Sequence, residues 1–155
     1  MVMDALDKFP MFHDFTPAQR DLLRSIFIPC DCYGDTCLFN QGDPAEHMYL
    51  VISGEIAINY KPEDGPIITM ARIGPGGVVG WSAALGNRLY TSSAVCTVYT
   101  QMLRVRSTDL RNLCQQYPET GILILDRLAT VIAERLRNTH EQVIALLKQG
   151  LLSDY

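Results

Sequence analysis

"GDTCLFNQGDPAEHMYLVISGEIAINY", residues 34–60, decides how the rest of the chain is read. Two Gly-Asp pairs, Gly34-Asp35 and Gly42-Asp43, and the pair Ser53-Gly54 punctuate it. Between these breaks lie "MYLVI" and "EIAINY", short runs rich in β-branched and aromatic residues. In the second run Ile56, Ile58 and Tyr60 alternate onto one face, the period of a half-buried strand. Turn residues at such short intervals belong to a sandwich or a jelly roll.

The pattern extends in both directions. "EDG" at 63–65 sets off "PIITMARI", and "GPGG" at 74–77 makes a sharp bend. Residues 28–106 keep this character throughout. Before them, Thr16 followed by Pro17 predicts a helix start, with the threonine as N-cap and proline at the first helical position. Leu22, Leu23, Ile26 and Phe27 give that helix its apolar face. After residue 106 the period becomes helical again. Ser107 or Thr108 is the expected cap of a short helix. Pro118 opens a long one to about Lys148, which at the standard rise is roughly 45 Å. Leu125, Leu128, Ile132, Leu136, Thr139, Val143 and Leu146 form a seam at steps of three and four. The seam fits either packing on the chain's own barrel or pairing with a second copy. Gly150 is expected to end the helix.

The 155 residues suffice for one domain with a real core. The expected division is 1–27 helical, 28–106 jelly roll, 107–148 C-terminal helices and 149–155 a loose tail. Hydrophobic content of 48% and charged content of 19% fit a compact chain. The net charge is −4, and the basic residues are scattered, so no nucleic-acid footprint stands out. "ERLRN", at 134–138, reads as a solvated helix face. The start lacks a secretory pattern, and the apolar stretch 121–133 is broken by Asp126 and Arg127. A cytoplasmic protein without a membrane segment is the expectation. Five cysteines then read as reduced thiols, with Cys37 in the core. Cys30, Cys32 and Cys37 do not make a cluster site, which needs four suitably spaced thiolates. His13, His47 and His140 sit in unrelated segments and form no metal or catalytic pattern. The expectation is no enzyme activity and no metal.

With these elements in order, the chain resembles the cyclic nucleotide-binding domain, the sensor domain of catabolite-activator-type regulators, kinase regulatory subunits and gated channels. "LDKFPMFHDFTPAQRDLL" resembles the family's leading helix. Residues 34–58 resemble its glycine-rich strands, "GPGGVVGWSAAL" its phosphate-binding cassette, and "YPETGILILDRLATVIAERL" the start of its C helix. The resemblance implies a mainly β fold with flanking helices. Its centre is a double-stranded β-helix, a cupin-like jelly-roll barrel, between an N-terminal helix and a long C-terminal one. It implies signal transduction by ligand binding, with a cyclic nucleotide or another small anion as ligand and no resident cofactor.

Two family anchors are replaced. Nucleotide-binding members follow the cassette glycine with a glutamate that accepts from the ribose hydroxyl. Here Gly80 is followed by Trp81, whose indole N–H only donates. Where those members carry a phosphate-pairing arginine, this chain has Tyr90. A hydrogen bond to a charged group contributes about 1.5–3 kcal/mol, so losing two moves micromolar binding toward millimolar.

A cradle remains in the reading: free N–H groups of Ser82, Ala83 and Ala84 in a short helix through Leu85, with hydroxyls from Thr91 and Ser92. Arg135 falls where the long helix reaches the base, or else pairs with Asp126 or Glu134 on the surface. Three functions follow. The first is a sensor not tuned to cyclic AMP, dimeric through its C-terminal helix and acting on an unknown effector. The second is a ligand-free interaction module with Trp81 and Tyr90 filling the pocket. The third is a cyclic nucleotide binder that uses Arg88. The chain ends at Tyr155 without a helix-turn-helix, so no DNA-binding domain is expected within it.

Overall fold

The computed structural model describes residues 5–83 and 89–152. Two 3-10 turns, Leu6–Lys8 and Pro10–Phe12, lead into helix α1, Pro17–Ile26. Thr16 caps α1 as a full capping box. Its Oγ1 accepts from the Gln19 N–H at 3.2 Å, and the Gln19 side chain accepts from the Thr16 N–H at 2.9 Å.

Eight strands follow: β1 (Ile28–Cys32), β2 (Cys37–Phe39), β3 (His47–Ser53), β4 (Ile56–Tyr60), β5 (Ile68–Ile73), β6 (Val78–Val79), β7 (Ser93–Cys96) and β8 (Thr100–Arg106). They form two antiparallel four-stranded sheets, ordered β1-β8-β3-β6 and β2-β7-β4-β5. One core joins them, with Leu50, Val51, Met102 and Leu103 from the first sheet and Ile56, Ala94 and Cys96 from the second. In β3 the run 48–51 is buried without alternation, as befits a strand covered on both faces. Phe9 and Pro10 lie beside Val51 and Ile52. Phe9, Phe12 and Phe15 meet edge to face in the leading segment. At the β3–β4 turn Gly54 has φ +97, and a Cβ there would lie 2.4 Å from the buried Thr100 Oγ1, so only glycine fits.

Helix α2 (Ser107–Gln116) and helix α3 (Pro118–Leu152) complete the chain. Neither Ser107 nor Thr108 is the cap of α2. Arg106 holds the N-cap position, without a side-chain bond, because the backbone turns helical directly at the end of β8. α3 has 35 residues and continues through Gly150, so residues 149–152 are helix and not loose tail. Gly150 lies two residues from the helix end, where the interior cost of a glycine, about 1 kcal/mol against alanine, does not apply in full. Residues 153–155 lie outside the described residues.

The expected seam of α3 divides. Ile124 and Leu128 are buried against the chain's own core. Ile122, Leu125, Leu136 and Leu147 are exposed. At about 100° per residue this exposed stripe lies roughly a quarter turn from the barrel-facing side. The side chains of Thr139, Val143 and Leu146 lie outside the described ones. No helix is long and apolar enough to cross a membrane among the described residues.

The cysteines depart from expectation. Cys32 and Cys96 are joined as a disulfide between the two sheets, their Cα atoms 6.5 Å apart and 64 residues apart in sequence. Barrel closure brings them together, which sequence spacing does not reveal. Cys37 is exposed, its thiol donating to Asn40 Oδ1 at 3.2 Å.

Candidate functional site

The site begins at the end of β6. Gly80 has φ +77, and a Cβ on it would lie 3.0 Å from the His47 carbonyl and 3.3 Å from the rings of Phe39 and Tyr90. Only glycine lets the chain turn this close to the barrel wall. The 3-10 turn Trp81–Ala83 follows. The Ala83 N–H donates to the Gly80 carbonyl at 3.2 Å, so it is engaged and not a free donor of a cradle. Ala83 itself is buried. Ala84, Leu85 and Arg88 lie outside the described residues, and so does any contribution of theirs.

Tyr90 is fixed from several sides. Its N–H donates to the Asp43 carbonyl, and its own carbonyl accepts from the Gly42 N–H, both at 2.9 Å. The Gly-Asp-Pro turn thus clamps its backbone. Its ring stacks on Phe39 at 3.7 Å between centroids and 13° between planes. Its hydroxyl donates to the His47 carbonyl at 2.5 Å and accepts from the His47 N–H at 3.1 Å. The hydroxyl therefore has no proton left to give an anion, since its one proton is committed to backbone. Burial pushes the Tyr90 phenol up from its ordinary value and keeps it neutral. Burial also pushes Tyr49, on the same wall, up to about 12.

Arg135 of α3 reaches across to this place. Its Nη2 donates to the Val78 carbonyl at 2.7 Å. Its guanidinium carbon lies 4.2 Å from the Trp81 ring centroid, a cation–π contact. Asp126, offered by the sequence as a surface partner, instead pairs with Arg127. Burial lowers the Arg135 pKa to about 10, which still leaves it charged at neutral pH.

These groups enclose a cavity of about 360 Å³. Gly80, Trp81, Ser82, Tyr90, Thr91, Ser92 and Arg135 line it, so seven sequence-predicted positions meet at one place. The rest of the lining was not among the candidates: Phe39, Ile58, Tyr60, Met70, Ala71 and Leu136. Its signal was present in the alternation of "EIAINY", since Ile58 and Tyr60 share the face that looks into the cavity. Most of the wall is apolar. His47, missed as well, acts through its backbone, and the burial of its own imidazole lowers its pKa. Among the described residues no group of His, Cys, Asp and Glu could hold a metal ion.

The family model of the cyclic nucleotide-binding domain matches residues 33–117, more than half of the chain. The chain belongs to the cyclic nucleotide-binding domain family. It is 31% identical over 128 residues to the "Cyclic AMP receptor protein" of Thermus thermophilus, covering 83% of this chain and 57% of that protein. The crystal structure of the Thermus thermophilus catabolite activator protein superposes with a TM-score of 0.73 at 29% identity, over 90% of this chain and 64% of that one. A cyclic nucleotide-binding domain from Methylobacillus flagellatus shares the fold, with a TM-score of 0.82 at 22% identity, over 93% of this chain and 81% of that one. The chain spans 57% and 62% of the length of the first curated relatives it matches.

Proposed function

We propose that the chain is a non-enzymatic sensor module, with a small molecule in the cavity as its signal, and that it is not tuned to cyclic AMP. The observation that carries this reading is the state of Tyr90. It stands in the phosphate-anchor position with its hydroxyl engaged by His47, yet a cavity stays open beside it. Trp81 in place of the ribose-binding glutamate points the same way. Membership of a family whose relatives are named as cyclic AMP receptors supports a regulatory role.

Arg135 is the natural link from cavity to helix. It joins α3 to β6 and to the turn after it through Val78 and Trp81. A ligand that binds the docked and undocked helix unequally shifts their populations through this contact. The exposed stripe of Ile122, Leu125, Leu136 and Leu147 supports a homodimer through α3.

Hydrogen exchange tests the switch. Arg135→Ala should raise exchange in α3 beyond about residue 130 and leave the barrel strands as they are. Unchanged exchange in α3 would remove Arg135 as the link, and with it the sensor mechanism.

A ligand-free interaction module is the second reading. The burial of Tyr90 against Phe39 favours it, since that ring converts part of the family pocket into core. The third reading, cyclic nucleotide binding through Arg88, rests on a residue outside the described ones.

A further inference from the structure

We infer that the cavity takes a compact aromatic acid, a molecule with one flat apolar body and a single carboxylate. This rests on the sensor reading above and names its ligand. Ile58, Met70 and Ala71 give the cavity aliphatic surface from β4 and β5. Phe39, Trp81 and Tyr90 give it aromatic surface. Flat rings pack on such surfaces in offset or edge-on contacts, and the Met70 thioether adapts to them.

The polar part of the lining is small. Tyr60, Ser82, Thr91 and Ser92 bring hydroxyls, Arg135 brings one guanidinium, and no carboxylate or lysine is among the described lining residues. The Tyr90 hydroxyl is engaged by His47. A ribose phosphate and its base bring many more donors and acceptors to be paired than a single carboxylate does. Every buried group left unpaired weakens binding. A single carboxylate calls for less, a guanidinium such as that of Arg135, which the Val78 carbonyl and the Trp81 ring hold in place, and one or two hydroxyls. Size agrees. A cavity of about 360 Å³ holds about twelve waters at ~30 Å³ each and lies at the small end of ligand pockets.

Trp81 is the single tryptophan of the chain and lines the cavity, so its emission reports the site directly. The probes are benzoate, 2-naphthoate, hexanoate and cyclic AMP, each titrated to millimolar concentration. The expected result is a saturable change with benzoate or 2-naphthoate and none with the other two. Thr91→Asp, at an exposed position, should weaken the aromatic acid about tenfold by placing a like charge at the cavity. Ala71→Phe should abolish binding by filling it. Binding that survives both variants lies elsewhere on the protein and overturns the proposal. A saturable change with hexanoate in place of the aromatic acids overturns the ligand class while the sensor reading stands, whereas one with cyclic AMP overturns both the class and the reading that the site is not tuned to that nucleotide. No change with any probe also overturns the class. The sensor reading is judged separately, by exchange in Arg135→Ala.

Discussion

Tyr90 stands where the family resemblance expects a phosphate-pairing arginine, and its neighbours decide what it can do there. Two bonds to the His47 backbone and a stack on Phe39 make it part of the wall. Tyr90→Phe keeps the stack and leaves both His47 groups without this partner. It should cost about 1–3 kcal/mol in denaturant unfolding, with no change in the slope against denaturant. A cost near zero would mean that water replaces the hydroxyl. The sequence itself, in "GWSAAL" and "LYTSSA", sets Trp81 and Tyr90 where the resemblance expects the two anchors. The direction of the tyrosine hydroxyl was not legible there, because its partner is 43 residues away in sequence and is a backbone group. The same limit hid Ala83, whose N–H is taken up by the carbonyl three residues back. Arg135 was legible as a residue of the site, but its attachment to Val78 and Trp81 needed the packed helix.

Helix α3 presents two faces with different fates. One buries Ile124 and Leu128 on the barrel. The other leaves a stripe uncovered in the single chain, with Leu136 61% exposed and Leu147 55% exposed. Apolar residues repeating along one face over several turns suit a second helix of the same kind. The expected outcome is a dimer in sedimentation equilibrium, converted to monomer by Leu125→Glu. That position is exposed and does not line the cavity, so Trp81 emission should stay as in the parent chain. A monomeric parent would remove α3 as a dimer interface. The strands were legible from turn residues and alternation. The seam was legible as a repeat, though not its division between barrel and outside, since both faces are apolar. The passage of α3 through Gly150 shows a local breaker overridden by the helix around it.

For the molecule as a whole, His47 brings a pH dependence of stability. Its backbone holds Tyr90, while desolvation first, and then Arg104 and Arg106, lowers the pKa of its imidazole. A histidine depressed in the folded state takes up its proton more readily when unfolded. Its contribution to stability is full above the ordinary value of 6.5 and falls as the pH drops below it. The melting temperature should therefore decline from pH 7 to pH 5, and His47→Gln should flatten that decline. An equal decline in the variant would assign it to other groups. Glu55, held below its ordinary value by its bond from Thr97 and then by Arg72, adds a further loss only below about pH 4.5.

On the proposed reading the fold keeps a ligand cavity, with Trp81 and Tyr90 at the two positions where the family resemblance expects cyclic nucleotide anchors. Calorimetric titration of the purified protein with cyclic AMP and cyclic GMP, up to millimolar concentration, tests it most directly. The expected result is no binding in the micromolar range and no rise in melting temperature. Micromolar binding of either nucleotide would contradict it and would direct attention to Arg88 and the cassette around it.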